Sequence, residues 1–418
     1  MKGFDLPAAA VVAGAAITAL AATSAVAVAA DTPAADQGAP LEVAAKTYRA
    51  AFPRMTDAAA RAAAAQEDSR KQVHTTLSSE DASTYGGAWF DPPTGVLHVS
   101  ATTQRTAARA EQLASDLDVE VQTHLVQHSF AALERQAATL REGGNVLSRN
   151  ARGQVGIDVK ANRVVAAVPA SSVSSTKRLR LPSAVSVVAD PNLQVEEDAG
   201  CTARNNCDWT IRAGAMLWRG SQGNNVCSVG FTARNSANTR FTYTAGHCSS
   251  GNGVNWGTGG QSIGPMAASI NSGSLDAAII RVTNPWFTGD LGGEIYHETA
   301  PGRTLPLNGA APTVSYMLQG ERVCLAANFT QPNGGNLCGV IGAVSDPAVN
   351  GKTRVDGIDA CPGDSGGGWY WLTSTNRRIA YGLHSQSNVG CHIANGRSWY
   401  TPIATARGWS GLNVEVRP

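Results

Sequence analysis

Apolar and polar positions follow two different rhythms along this chain, and the change falls near residue 195. In the first half, Phe130, Leu133, Ala137 and Leu140 recur at three- and four-residue spacing. That period predicts a helix capped by Ser129, with Gly143 near its stop. Thr56 predicts the cap of a second helix running toward Arg70. Between such helices, "AWFDPPTGVLHV" sets Asp-Pro-Pro-Thr-Gly between Trp89-Phe90 and Val96-Leu97. "VGIDVKANRVVAAV" does the same around Ala161-Asn162. Both read as strand, turn, strand, so the first half is expected to be a small α+β domain. From about residue 200 the runs shorten: "VCSVGFTA", "RFTYTA", "DAAIIRV", "NLCGVIGAV" and "RIAYGLHS" alternate with Gly/Asn/Ser clusters. Many short strands between turns predict an all-β sandwich or barrel.

The first thirty residues read as an export signal. Lys2 supplies the positive start, an Ala/Val-rich run extends from Ala8 to Val28, and Ala27-Val28-Ala29 offers a peptidase site. The run is long enough to span a bilayer. Alanine and glycine are only weakly apolar, however, and the small-residue pattern closes the run, so a removed signal over residues 1–29 is the expectation. It leaves a secreted, extracellular protein with no membrane segment. The eight cysteines agree: Cys201, Cys207, Cys227, Cys248, Cys324, Cys338, Cys361 and Cys391 all follow residue 200. An even count crowded into one half of an exported chain reads as a disulfide framework. No C-x-x-C pair supports zinc. A net charge of +1 argues against a dedicated nucleic-acid binder, which needs basic groups to neutralise phosphates.

Candidate chemistry begins with "DACPGDSGGGWY", Asp359 to Tyr370. Serine is a weak nucleophile at its free pKa and needs a base within hydrogen-bond reach. Acyl transfer also builds charge on a carbonyl oxygen, which backbone N–H groups stabilise where the chain turns tightly. Glycines on both sides of Ser365 permit that turn. "TAGHCSS" puts His247 at the end of a strand-like run, and "GSLDAAII" puts Asp276 at the edge of an apolar one. Each motif alone is weak. Together they run His, Asp, Ser, the chain order of the chymotrypsin arrangement, with cysteines flanking both His247 and Ser365.

On these residues the chain resembles secreted bacterial serine proteases of the chymotrypsin fold, of the α-lytic protease and streptogrisin type. "VCSVGFTARNSANTRFTYTAGHC", "LDAAIIRV" and "CPGDSGGGW" are similar to the segments carrying histidine, aspartate and serine. "GGAWFDPPTGVLHVSATT" and "VGIDVKANRVVAAVPA" resemble the family's pro region, which assists folding. The resemblance implies a pro region over 30–196, acting as folding aid or inhibitor. It implies a double six-stranded β-barrel protease domain over 197–418. It implies Ser365 as nucleophile, His247 as general base and Asp276 as the group orienting the imidazole. The N–H groups of Gly363 and Ser365 would form the oxyanion hole, and Ser385 would help hold the acid. It also implies four disulfides, Cys227–Cys248, Cys361–Cys391, Cys324–Cys338 and Cys201–Cys207. Polypeptide substrates and the chain's own pro region are the expected partners of a monomer. No cofactor is implied; calcium is left open.

The sequence departs from the family at two points. Asp364 lies beside the nucleophile, and the arginine that relatives place after the cysteine matching Cys324 is Leu325 here. Arg322 would face the other way on a strand, so Asp364 is expected to need another donor. Asp359 stands where trypsin-type sequences carry a pocket-floor carboxylate, which would favour Arg or Lys before the cut bond; relatives of the α-lytic type have no acid there and take small or apolar residues. Two rivals are an α/β-hydrolase built on Gly363 to Gly367, which needs a helix after the serine, and an inert binding protein on the protease fold.

Overall fold

Proline-rich and Asn-centred turns set the hairpins of the N-terminal half. The computed structural model describes residues 38–142, 154–168, 173–177, 181–189, 196–197, 211–221, 225–259, 261–288, 292–297, 304–328, 337–388 and 396–417. The chain runs through α1 (Gly38–Ala51), α2 (Asp57–Ala65), α3 (Glu67–Glu80), β1 (Tyr85–Asp91), β2 (Val96–Ala101), α4 (Gln104–Asp116), β3 (Val121–Leu125) and α5 (Phe130–Glu142). β1 and β2 pair across the Asp-Pro-Pro-Thr-Gly turn, Phe90 opposite Leu97, and β3 adds in parallel beside β2. Thr56 caps α2, its hydroxyl accepting from Ala59 N at 3.2 Å. The expected single helix toward Arg70 breaks at Gln66, where α2 ends and α3 begins. Ser129 caps α5 as expected, accepting from Ala132 N, and Phe130, Leu133 and Ala137 are buried on one core. Gly143 lies outside the described residues.

The second expected hairpin is β4 (Gln154–Asp158) with β5 (Arg163–Val168), turning through Asn162 at φ 52°. The short helix α6 (Val173–Lys177) leads to β6 (Val185–Ala189), which pairs with β5 in parallel. β7 is the two-residue strand Glu196–Glu197.

From residue 211 the chain is almost wholly β. One sheet contains β8 (Met216–Arg219), β9 (Asn225–Ser228), β10 (Thr232–Arg234), β11 (Arg240–Thr244), β12 (Asn255–Thr258), β13 (Gln261–Ser272) and β14 (Leu275–Arg281). After α7 (Pro285–Thr288) and the small pair β15 (Glu294–Tyr296) and β16 (Thr304–Pro306) come β17 (Gly309–Ala310), β18 (Arg322–Ala326), β19 (Leu337–Asp346), β20 (Lys352–Asp356), β21 (Gly368–Leu372), β22 (Arg378–Ser387) and β23 (Arg397–Pro402). Helix α8 (Ile403–Ser410) and β24 (Asn413–Val414) return the chain to β10 of the first sheet. Two largely antiparallel sheets, one wrapped on its own apolar core and both meeting across a second, shared one, give this half the chymotrypsin-type architecture that the resemblance implies.

The second sheet does not stop at the expected boundary between halves. β4 pairs with β19 at Ile157 and Ser345, so β4, β5 and β6 prolong it to eleven strands. Gln37–Pro418 accordingly form one compact unit. Two buried ion pairs tie α3 to the barrel: Lys71 to Glu321 at 3.0 Å and Glu67 to Arg322 at 3.2 Å. Arg322 also donates to Leu372 O at 2.7 Å, so it faces the helix rather than the serine loop. Among the described residues no helix is long and apolar enough to cross a membrane.

Candidate active site

His247 leaves β11 through Ala245 and Gly246. A Cβ on Gly246 would collide with the carbonyl oxygen of Ile270 on β13, so only glycine lets the turn pass there. The turn delivers the histidine to Asp276, at the start of β14 and fully buried. Two contacts fix the pair. His247 N donates to Asp276 Oδ1 at 2.9 Å, and His247 Nδ1 lies 2.7 Å from Asp276 Oδ2. On its other side, His247 Nε2 is 2.8 Å from Ser365 Oγ. A carboxylate only accepts, so Nδ1 carries the proton and Nε2 is left to accept from the serine hydroxyl.

The acid is anchored at two further points, one of them backed by a lysine. Its backbone N–H donates to Thr401 Oγ1 at 2.9 Å on β23. Ser385 Oγ on β22 donates to Asp276 Oδ2. Lys352 Nζ on β20 donates to Ser385 Oγ and to Gln386 Oε1, both at 2.8 Å. Lys352 is nearly buried, and sequence reading missed it. In "NGKTRVDG" it looks like a hairpin lysine, and only the register of β20 against its neighbours turns it inward. Burial pushes the Asp276 carboxyl up, but the hydrogen bond and charge of His247, the Lys352 ammonium and Ser385 outweigh burial and hold it at about 2.

A carboxyl held below its ordinary 3.8 adds stability above that value and loses it as pH falls toward 2. Asp276→Asn should therefore be less stable than the parent at pH 5 by about 2 kcal/mol, at 1.36 kcal/mol per pKa unit. The gap should close by pH 2. Urea unfolding at the two pH values measures it; an equal gap at both would contradict the assignment.

The serine loop is a chain of local bonds. Asp364 N donates to Cys361 O and Gly367 N to Asp364 O, both at 2.9 Å. Gly363 and Gly366 hold φ of 98° and 87°, which L side chains rarely adopt. Ser228 grips the loop twice: its N–H donates to Ser365 O at 2.7 Å and its hydroxyl to Gly363 O at 2.9 Å. Asp364, expected to need a donor, is buried and accepts from Cys361 N at 2.8 Å through Oδ2. Asp359 is buried and engaged, with its Cβ packed where any side chain at position 396 would have to go. His384 is buried against Trp369, whose indole N–H points at its Nδ1 over 3.3 Å.

Cys227–Cys248 and Cys324–Cys338 are bridged, the first beside His247 and the second between β18 and β19. Loops of this size contribute about 3 kcal/mol each in the chain-entropy account. Cys361 is also disulfide-bonded. Cys201, Cys207, Cys391 and the signal segment lie outside the described residues. After Ser365 the chain enters strand β21, not a helix, which removes the α/β-hydrolase alternative.

No family model and no curated protein matches the chain. Solved structures do. The Nocardiopsis protease NAPase is 27% identical at a TM-score of 0.39, over 50% of this chain and all of its own. Thermobifida fusca protease A is 26% identical at 0.39, again over 50% of this chain and all of its own. A glutamic acid specific serine protease is 23% identical at 0.39, over 49% of this chain and all of its own. Each of these likenesses covers about half of the chain.

Proposed function

We propose that the chain is the precursor of a secreted serine endopeptidase. The observation that carries this reading is the His247 ring, bonded at once to a buried carboxylate at 2.7 Å and a serine hydroxyl at 2.8 Å. Ser365 Oγ attacks the carbonyl carbon of a peptide while His247 Nε2 takes its proton. Asp276 stays ionised and stabilises the imidazolium. The N–H groups of Gly363 and Ser365 receive the oxyanion. His247 then protonates the departing amine, and water repeats the sequence on the acyl-enzyme. A complete His, Asp, Ser set weighs against an inert binding protein.

Residues 30–196 are then a pro region, following a signal over 1–29. In the intact chain Ser365 is fully buried, which supports a precursor closed to substrate. Glu196 and Glu197 pair antiparallel with Ser387 and Gln386, next to Ser385. Strand addition of this kind is how extended peptides are held, and it supports cleavage of the chain beside this strand.

Preference at the cut bond has two readings. Asp359, buried six residues before Ser365, supports a basic side chain there. Arg180 is the last basic residue before Cys201, which favours the small or apolar alternative if the chain cuts itself at this junction. Cleavage of a peptide library separates them.

The test of the main reading is a fluorophosphonate label with mass mapping. The secreted protein should label at Ser365 and begin near residue 197. Ser365→Ala should neither label nor mature. A labelled Ser365→Ala chain, or an unlabelled parent, would refute it.

A further inference from the structure

Lys71 on α3 reaches across into the barrel half, and everything that receives it belongs to residues 316–381. Its ammonium nitrogen lies 4.2 Å from the ring centre of Tyr316, 5.2 Å from that of Trp371 and 5.1 Å from that of Tyr381. It donates to Glu321 Oε2 at 3.0 Å and to the Tyr381 hydroxyl at 2.7 Å. Three aromatic faces and one carboxylate are the features that bind alkylammonium groups.

The receiving groups also bond to and pack against one another. Tyr381 donates to Glu321 Oε2 at 2.8 Å, and Leu318 N donates to the same oxygen at 3.2 Å. Tyr316 meets Tyr381 edge-on with ring centres 6.1 Å apart, and Trp371 stacks on Tyr381 at 6.3 Å. Glu321 Oε1 is buried with no hydrogen-bond partner among the described residues, leaving acceptor capacity in the socket.

We propose that Tyr316, Glu321, Trp371 and Tyr381 form a lysine-binding exosite on the barrel half, filled in cis by Lys71 in the intact chain and opened to lysine side chains of other polypeptides when residues 30–196 leave. The opening rests on the cleavage proposed above; the socket's chemistry does not. The ligand class follows from the occupant already seated there: a primary ammonium on a flexible aliphatic stem. The shape and single carboxylate suit that group, and an uncharged stem would leave Glu321 buried without its counter-charge.

The test separates the two ideas. In the full chain carrying Ser365→Ala and Lys71→Ala, which needs no cleavage, n-butylammonium chloride should refill the socket. It should raise Tm by about 3 °C above matched n-butanol and sodium chloride, as expected for a ligand of the folded state. Adding Glu321→Gln should abolish the rise. If the Lys71→Ala chain does not fold, the processed secreted protein serves instead. There N-acetyl-lysine methylamide should quench tryptophan fluorescence at least tenfold more effectively than N-acetyl-norleucine methylamide, and Trp371→Leu should remove the response. Equal responses to the charged and neutral compounds, or a response surviving Glu321→Gln or Trp371→Leu, would overturn the exosite. Failure of labelling at Ser365 would overturn the protease reading and leave the butylammonium result standing.

Discussion

Asp276→Asn should leave a folded, disulfide-bonded chain whose kcat on a short peptide ester or amide falls by roughly 10⁴. An amide in place of the carboxylate can donate to His247 Nδ1, which selects the other tautomer and puts a proton on Nε2. The nitrogen 2.8 Å from Ser365 Oγ would then face the hydroxyl as a donor, unable to accept its proton. The loss should fall on kcat with KM little changed, because Asp276 is fully buried and does not reach the substrate. The neighbouring anchors are part of the effect. Ser385 and, through it, Lys352 are arranged for an anion at this position, so the amide also strands a buried cation. Steady-state kinetics with active-site titration reads the result. A variant within tenfold of the parent would show that the histidine is not oriented by this acid.

Gly366→Ala should be the most damaging conservative change in the serine loop. At φ 87° an L residue is strained by about 1–3 kcal/mol. The added carbon would overlap Thr244 Oγ1 and stand 2.6 Å from Ser228 O and 2.8 Å from Ala245 N, backbone atoms that cannot yield. Relief requires the loop to move away from β9, which means moving Ser365, whose own carbonyl is held by Ser228 N. A displacement of about 1 Å from attack geometry costs about 10² in rate, so kcat/KM should fall at least that far, with a lower Tm. Gly408→Ala is the matched control. Nothing lies within 4 Å of the new carbon there, and the site is a helix interior. It should be neutral or slightly stabilising, by about 0.4–1 kcal/mol, with full activity. Equal effects at the two positions would mean that the loop tolerates displacement.

The parts of this molecule that were legible in the sequence are those governed by local chemistry. Asp-Pro-Pro-Thr-Gly and Ala161-Asn162 announce their hairpins because proline and asparagine restrict the backbone there. Thr56 and Ser129 announce helix starts because their hydroxyls compete for free N–H groups. The His, Asp and Ser motifs stand out because their chemistry needs unusual local settings, and the structure brings these three side chains together. What could not be read depends on register and on long-range meeting. The break at Gln66 separates two helices of similar composition. Lys352 turns inward only through the pairing of β20 with β19 and β23, which is irregular beside it. Asp364 is expected to need a donor that the sequence does not name, and the turn it sits in supplies a backbone one three residues back. Nothing local marks the α3 anchors Glu67 and Lys71, because their partners are some 250 positions away along the chain.

The strand β4, laid beside β19, makes the two halves share one run of backbone hydrogen bonds across the proposed cut. Severing the chain near residue 197 would therefore not by itself free anything. It would turn a unimolecular association into a bimolecular one, so that separation becomes a matter of dilution. In a crowded secretion the clipped pair would stay together, and only as it spread into a larger volume would the inhibitor drift off and the hydrolase switch on.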